Sequence, residues 1–223
     1  MLKFSEIKAN FERHHNLWLE HSHLRNDMAA NTGYVRDHYP GNSPGLYQMG
    51  HEFITLLELY IELKPRYVVE VGNAEGGTLY YWLKYASPET TVIGIDINHS
   101  MLRELDVWDG VNRDQLKLIQ GDSTSLDTLI KVQELIPHID FLFIDGDRSY
   151  PGVHVDYMHY SSFVHRGVIA LHDIVPDSLE PTRYSNILWE NIVREGAECI
   201  GIHTPKVDGF GIGIISRGGV IGS

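Results

Sequence analysis

Residues 66–80 read RYVVEVGNAEGGTLY, and how this stretch is read decides the fold. Tyr67, Val68, Val69 and Val71 form an apolar, β-branched run of the kind found in strands buried on both faces. Gly72, Gly76 and Gly77 make the next segment a turn. Thr78 then leads into the apolar helical run Leu79, Tyr80, Tyr81, Trp82, Leu83. A strand, a glycine turn and a helix in this order bring bare backbone to a ligand at the carboxyl end of the strand. The details of the turn limit that ligand. A dinucleotide fingerprint needs glycine at 72, 74 and 77, and position 74 is Ala74. A phosphate loop needs Lys before the Thr, and Gly77 stands there instead. A glycine-rich turn that binds nothing is the alternative.

The rest of the chain bounds the answer. Its 223 residues suffice for one large domain, or one domain with an appendage. An apolar content of 43% and a charged content of 22% are ordinary for a soluble globular protein. A net charge of −12 argues against nucleic acid as a partner, because binding its backbone requires Lys and Arg to neutralise phosphates. Cys199 is the single cysteine, so no internal disulfide is expected. No apolar run approaches the roughly 18–20 residues that cross a bilayer, so no membrane partner is expected. The opening MLKFSEIKANFERHH lacks the apolar segment of a signal peptide, and a cytoplasmic setting is the default. A homo-oligomer is left open.

Upstream of the central strand, residues 1 to about 30 read as helical. Phe4, Ile7, Phe11, Leu17, Trp18 and Leu24 recur at three-to-four spacing. His14, His15, His21 and His23 invite a metal, but a mixed polar face is preferred. Residues 31–45 form a loop rich in Gly and Pro that also carries Tyr34, Arg36, His38 and Tyr39, as a substrate lid or a plain connection would. The chain therefore divides into a helical and lid segment, 1–45, and a main domain, 46–223. Residues 47–63 form an amphipathic helix that Lys64-Pro65 ends.

Downstream, strands are predicted at 91–97, 116–120, 139–144, 167–171, 197–202 and 209–215. Helices are predicted at 78–86, 125–135, from about Pro151, and at 184–195. The connection 203–208 is too short for a helical crossover, so the last two strands should pair antiparallel. The alternation predicts a doubly wound α/β sheet. The strand ends collect Glu70, Asp96, Asp122, Asp145 and Asp173 at the edge where such sheets bind ligands. So many acids at one edge call for something cationic among them. Asp96 stands about 20 residues beyond the glycines, where an acidic residue takes ribose hydroxyls. Asp122 or Ser123 is also read as a cap of the following helix.

The segment Glu70-Val71-Gly72-Asn73-Ala74-Glu75-Gly76-Gly77-Thr78 resembles the first motif of class I S-adenosylmethionine-dependent methyltransferases, E-x-G-x-x-x-G-x-[ST]. Phe143-Ile144-Asp145-Gly146-Asp147-Arg148-Ser149-Tyr150 and Gly167-Val168-Ile169-Ala170-Leu171-His172-Asp173 are similar to later motifs of its cephalosporin-hydroxylase-like and macrolide sugar O-methyltransferase branch. The resemblance runs from about Gln48 to Ile215. It implies a seven-stranded Rossmann-like methyltransferase sheet with a terminal antiparallel hairpin, and O-methylation of a small hydroxylated acceptor. It carries cofactor contacts onto Glu70, Gly72, Asn73, Gly76, Gly77 and Thr78. Further along, it carries them onto Asp96, Ile97, Asp122, Ser123 and Asp145. An acidic strand end such as Glu70 would hold the ammonium group of S-adenosylmethionine.

In metal-dependent relatives a divalent ion, Mg²⁺ or another, is held at positions that correspond here to Asp145, His172 and Asp173. The family pattern has a His, taken as the base, where this chain has Arg148. Arginine stays protonated and cannot be a base. Either His172, the first choice, or Asp147 takes over as base, or Arg148 binds an anionic substrate, or the activity is altered. A scaffold protein without turnover, and a metal-independent N-methyltransferase, are the other readings the sequence leaves open.

Overall fold

The computed structural model describes residues 2–22, 48–102, 108, 110–180 and 183–222. The loop 31–45 lies outside the described residues, as does the helical reading beyond residue 22. In chain order the elements are β1 (Leu2–Lys3), α1 (Phe4–Ser22), α2 (Gly50–Leu63), β2 (Tyr67–Val71), α3 (Gly77–Lys84), β3 (Thr91–Asp96), β4 (Leu116–Gln120), α4 (Leu126–Leu135), β5 (Phe141–Ile144), α5 (Tyr150–Ser161), β6 (Gly167–His172), α6 (Ser185–Arg194), β7 (Cys199–Ile202), β8 (Ile212–Arg217) and β9 (Ile221–Gly222).

A seven-stranded sheet runs in the order β4-β3-β2-β5-β6-β8-β7. Its neighbours are parallel from β4 to β6, and β8 is antiparallel to both β6 and β7. The hairpin pairing expected from the short connection is therefore present. Chain order reverses direction between β2 and β5, which opens a crevice at their carboxyl ends. β1 pairs in parallel with β9, a two-stranded contact with no signature in the sequence.

Side chains along a strand alternate between faces, so each strand serves two layers. Val68, Val92, Phe141, Phe143 and Ala170 pack with α1, α2 and α3 through Ile7, Phe53, Leu56, Tyr60, Leu79 and Trp82. Val69, Ile93, Leu142, Ile144 and Leu171 pack on the other face with Val132, Val153, Tyr160, Leu188 and Ile192 of α4, α5 and α6. This continuous burial on both faces is why these strands read as apolar runs.

The helix ends follow local chemistry. Lys64 takes a left-handed conformation at the end of α2, φ 48°, and Pro65 forbids further turns. The Ser149 hydroxyl accepts the Gly152 amide at 3.2 Å, and Pro151 sits in the first turn of α5. The cap of α4 corrects the reading of Asp122 or Ser123. Ser125 accepts the Thr128 amide, whereas Asp122 closes a local turn onto Thr124. The last sheet strand begins at Ile212 rather than 209, because Gly209, Phe210 and Gly211 all have positive φ and cannot extend. No helix among the described residues is long and apolar enough to cross a membrane.

Candidate active site

The carboxyl ends of the parallel strands open on a cleft of about 920 Å³. At its centre is the bend after β2. Gly72 has φ +85°, and a Cβ there would meet the Asp145 carbonyl oxygen at 2.3 Å. Only glycine lets β2 and β5 approach this closely at the point where strand order reverses. The Gly72 amide donates to the Ile95 carbonyl at 2.8 Å, tying the bend to β3 as well.

Asp96 completes the bend from the end of β3. Its Oδ2 accepts the amides of Asn73 at 2.8 Å and Ala74 at 3.3 Å, and its Oδ1 accepts the Asn98 amide at 3.0 Å. Ala74 sits at φ 43°, and the two consecutive amides form a small anion-holding nest. Gly72, Asn73, Gly77, Thr78, Asp96 and Ile97 line the cleft together, and Asp122 and Ser123 line it beyond them. Ile97 is 72% exposed, an apolar surface open to a flat ring.

Two residues read as cofactor contacts are not among the cleft lining. Glu70 is fully buried, and its side chain points into the layer of α3 because it shares its face with Val68. Trp82 Nε1 donates to it at 2.5 Å, the Thr78 hydroxyl at 2.6 Å and Asn73 Nδ2 at 3.3 Å. Burial pushes its carboxyl up to about 8, against the opposing pull of these donors. Gly76 precedes α3 at φ +84°, where a Cβ would strike Leu102 and Trp108.

The acceptor side of the cleft is built from charged groups. His172 ends β6, and its Nδ1 lies 3.0 Å from Asp145 Oδ1 and 3.3 Å from Asp173 Oδ1. Arg148 Nη2 lies 2.9 Å from the same Asp145 oxygen, and its Nε contacts Asp173 Oδ2. Gln48 Nε2 donates to Asp145 Oδ2 at 2.8 Å. Burial raises the affinity of Asp145 for a proton, but His172 and Arg148 more than reverse this, leaving it below the usual carboxylate range. Burial disfavours the His172 imidazolium, and Asp145 and Asp173 outweigh that, so His172 is shifted upward. Its Nε2 is enclosed and has no hydrogen-bond partner among the described residues. Asp173 holds φ 58°, a strained conformation at the cleft wall.

Asp147 is exposed. Its carboxylate accepts the amide and the hydroxyl of Ser149, closing the turn before α5. The segment after β6 also reaches the cleft through Asp177, Leu179, Glu180 and Arg183. Phe210 is brought there by Glu52 of α2, which is buried and accepts the Thr204 amide at 2.7 Å and the Gly211 amide at 3.0 Å. Neither Gln48 nor Phe210 had any sequence signal, since both reach the cleft through long-range contacts.

A family model described as Rhamnosyl O-methyltransferase/CmcI matches residues 41–193. Among solved structures, the O-methyltransferase TomG from Streptomyces achromogenes, in complex with SAM, superposes with a TM-score of 0.60 at 17% identity, covering 93% of this chain and 98% of that one. An O-methyltransferase from Bacillus cereus in complex with SAH matches at a TM-score of 0.55 and 16% identity, over 92% of this chain and 91% of that one. MycE, from the mycinamycin biosynthetic pathway and in complex with Mg, SAH and mycinamycin VI, matches at 0.51 and 17%, over 72% of this chain and 48% of its own.

Proposed function

The chain belongs to the rhamnosyl O-methyltransferase/CmcI family, and on that premise we propose that it transfers a methyl group from S-adenosylmethionine to a hydroxyl of a small molecule. The observation that carries the reading is the glycine bend at the switch point. Gly72 leaves bare backbone facing a cleft whose volume suits a cofactor together with a small acceptor. The bend carries no lysine and needs none, because this cofactor has no phosphate.

S-adenosylmethionine, when bound, supplies an electrophilic methyl on a sulfonium that leaves as a neutral thioether. The residues of the bend, Gly72, Asn73, Gly77 and Thr78, bind its amino-acid portion. Asp96 takes the ribose hydroxyls, and Ile97, Asp122 and Ser123 take the adenine. Asp145 lines the same cleft from the end of β5. Glu70 and Gly76 act one step back. Glu70 clamps α3 to the bend, and Gly76 sets the angle at which α3 departs.

Catalysis of a displacement rests on positioning the two reactants and disposing of one proton. His172 takes that proton. Asp145, bonded to Nδ1, orients the ring and stabilises its charged form, and Nε2 is the nitrogen left to accept. Arg148 cannot serve, and Asp147 is committed to Ser149 in the turn before α5. Asp145, His172 and Asp173 offer ligand atoms that all lie within 4.8 Å of one another. The Arg148 guanidinium already sits on both carboxylates, so these residues do not fit a divalent ion as they stand, and no step is assigned to one.

Calorimetry with S-adenosylhomocysteine, followed by transfer of labelled methyl across a panel of sugar and polyketide hydroxyl compounds, tests the reading. One cofactor bound per chain and label on an acceptor oxygen are expected. Absence of cofactor binding at millimolar ligand removes it.

A further inference from the structure

We propose that the guanidinium of Arg148 is the resident cation of this active site, occupying the place between Asp145 and Asp173 that a divalent ion would take, and that the metal site is latent until Arg148 is removed. The inference rests on the methyltransferase reading of the cleft but stands on separate atoms.

Each carboxylate oxygen of the pair already faces nitrogen. Asp145 Oδ1 has Arg148 Nη2 at 2.9 Å and His172 Nδ1 at 3.0 Å, and Asp145 Oδ2 accepts from Gln48 at 2.8 Å. Asp173 Oδ1 has His172 Nδ1 at 3.3 Å. Asp173 Oδ2 has Arg148 Nε against it and Arg183 Nη1 at 3.6 Å. A divalent ion bound here would have to strip these contacts and then sit beside a guanidinium that cannot lose its charge. The His172 nitrogen that faces the carboxylates would also have to give up its proton to become a ligand.

The two carboxylates, 12% and 2% exposed, already have a permanent cation between them in Arg148, with His172 Nδ1 against both. Arg148 keeps 34% of its side chain exposed and lines the cleft. A guanidinium has five N–H donors, and Asp145 and Asp173 engage only part of the fork. The remaining edge is available to an acceptor oxygen, so the residue can hold the reacting hydroxyl and stabilise the negative charge that grows on it. The acceptor class is a hydroxyl compound that offers an oxygen to a fixed guanidinium rather than to a metal.

The test is a Mn²⁺ titration followed by electron paramagnetic resonance, with S-adenosylhomocysteine calorimetry on the same samples. Wild type should show no stoichiometric site up to about 1 mM Mn²⁺. Arg148→Ala should gain one Mn²⁺ per chain at least roughly tenfold more tightly, and Arg148→Ala combined with Asp173→Asn should lose it. Thermal melts check that each variant is folded, and Arg148→Gln replaces Arg148→Ala if that variant is not. One tightly held Mn²⁺ per chain in wild type, or no gain in either folded Arg148 variant, overturns the proposal. Failure of wild type to bind S-adenosylhomocysteine would instead remove the methyltransferase reading, leaving the metal result intact.

Discussion

Trp82 Nε1 donates to Oε2 of Glu70 at 2.5 Å, so the first helix after the glycine bend is clamped to the strand before it by a buried carboxyl group. Removing the clamp leaves an indole N–H, a hydroxyl and an amide without their acceptor. Glu70→Ala should therefore cost about 3 kcal/mol or more of stability, measured by denaturant unfolding. A cost below about 1 kcal/mol would show that the clamp does not hold α3.

The same group sets a pH dependence. Its folded-state pKa is raised to about 8 from the ordinary 4.5, chiefly by burial. The folded state thus holds this proton more tightly than the unfolded state. The stability it contributes is complete below about 4.5 and is lost as pH rises through about 8. Wild type should lose stability across that window, and Glu70→Gln, which mimics the protonated form, should lose less. Parallel profiles for the two proteins would contradict this.

Gly72→Ala places a Cβ 2.3 Å from the Asp145 carbonyl oxygen at a positive φ, where backbone must move. Loss of S-adenosylhomocysteine binding and a lowered melting point are expected. Gly110 also has a positive φ, but nothing lies within 4 Å of its added Cβ. Gly110→Ala should cost only the conformational term, about 1 kcal/mol, and keep cofactor binding.

Asp96→Ala removes the acceptor for the Asn73 and Ala74 amides. Calorimetry should show cofactor affinity falling by about ten- to a hundredfold, a loss of roughly 1.4–2.8 kcal/mol. Unchanged affinity would mean that the bend holds its shape without β3 and that Asp96 is not a cofactor contact.

His172→Gln should lower kcat by about 10²–10⁴, the usual share of general base catalysis. Asp147→Asn should stay within several-fold of wild type, because that carboxylate serves the turn before α5. The opposite ranking, measured on any acceptor that wild type methylates, would move the base to Asp147.

Much of the architecture was legible because it is written locally. Doubly buried strands are apolar runs, helices announce themselves by period and caps, and a nine-residue hairpin connection leaves no room for a crossover. The acids at the strand ends could be read the same way, and Asp96, Asp122, Asp145 and Asp173 do gather at one cleft. Glu70 could not be separated from them by type. The alternation of β2 turns it into the α3 layer, and only the packed helix shows that Trp82 and Thr78 await it there.

What the sequence determined by itself was the strand, the bend and the helix at 66–80, the sheet built outward from them, and the edge at which chemistry would occur. What only the tertiary structure decided was the partner of each charge: Gln48 on Asp145, Glu52 behind Phe210, Arg148 across Asp145 and Asp173. The reason is physical. Backbone sterics and burial period act between neighbours in the chain, whereas a buried charge is satisfied by whatever packing brings within about 3 Å of it, and for Asp145 that includes a residue 97 positions away.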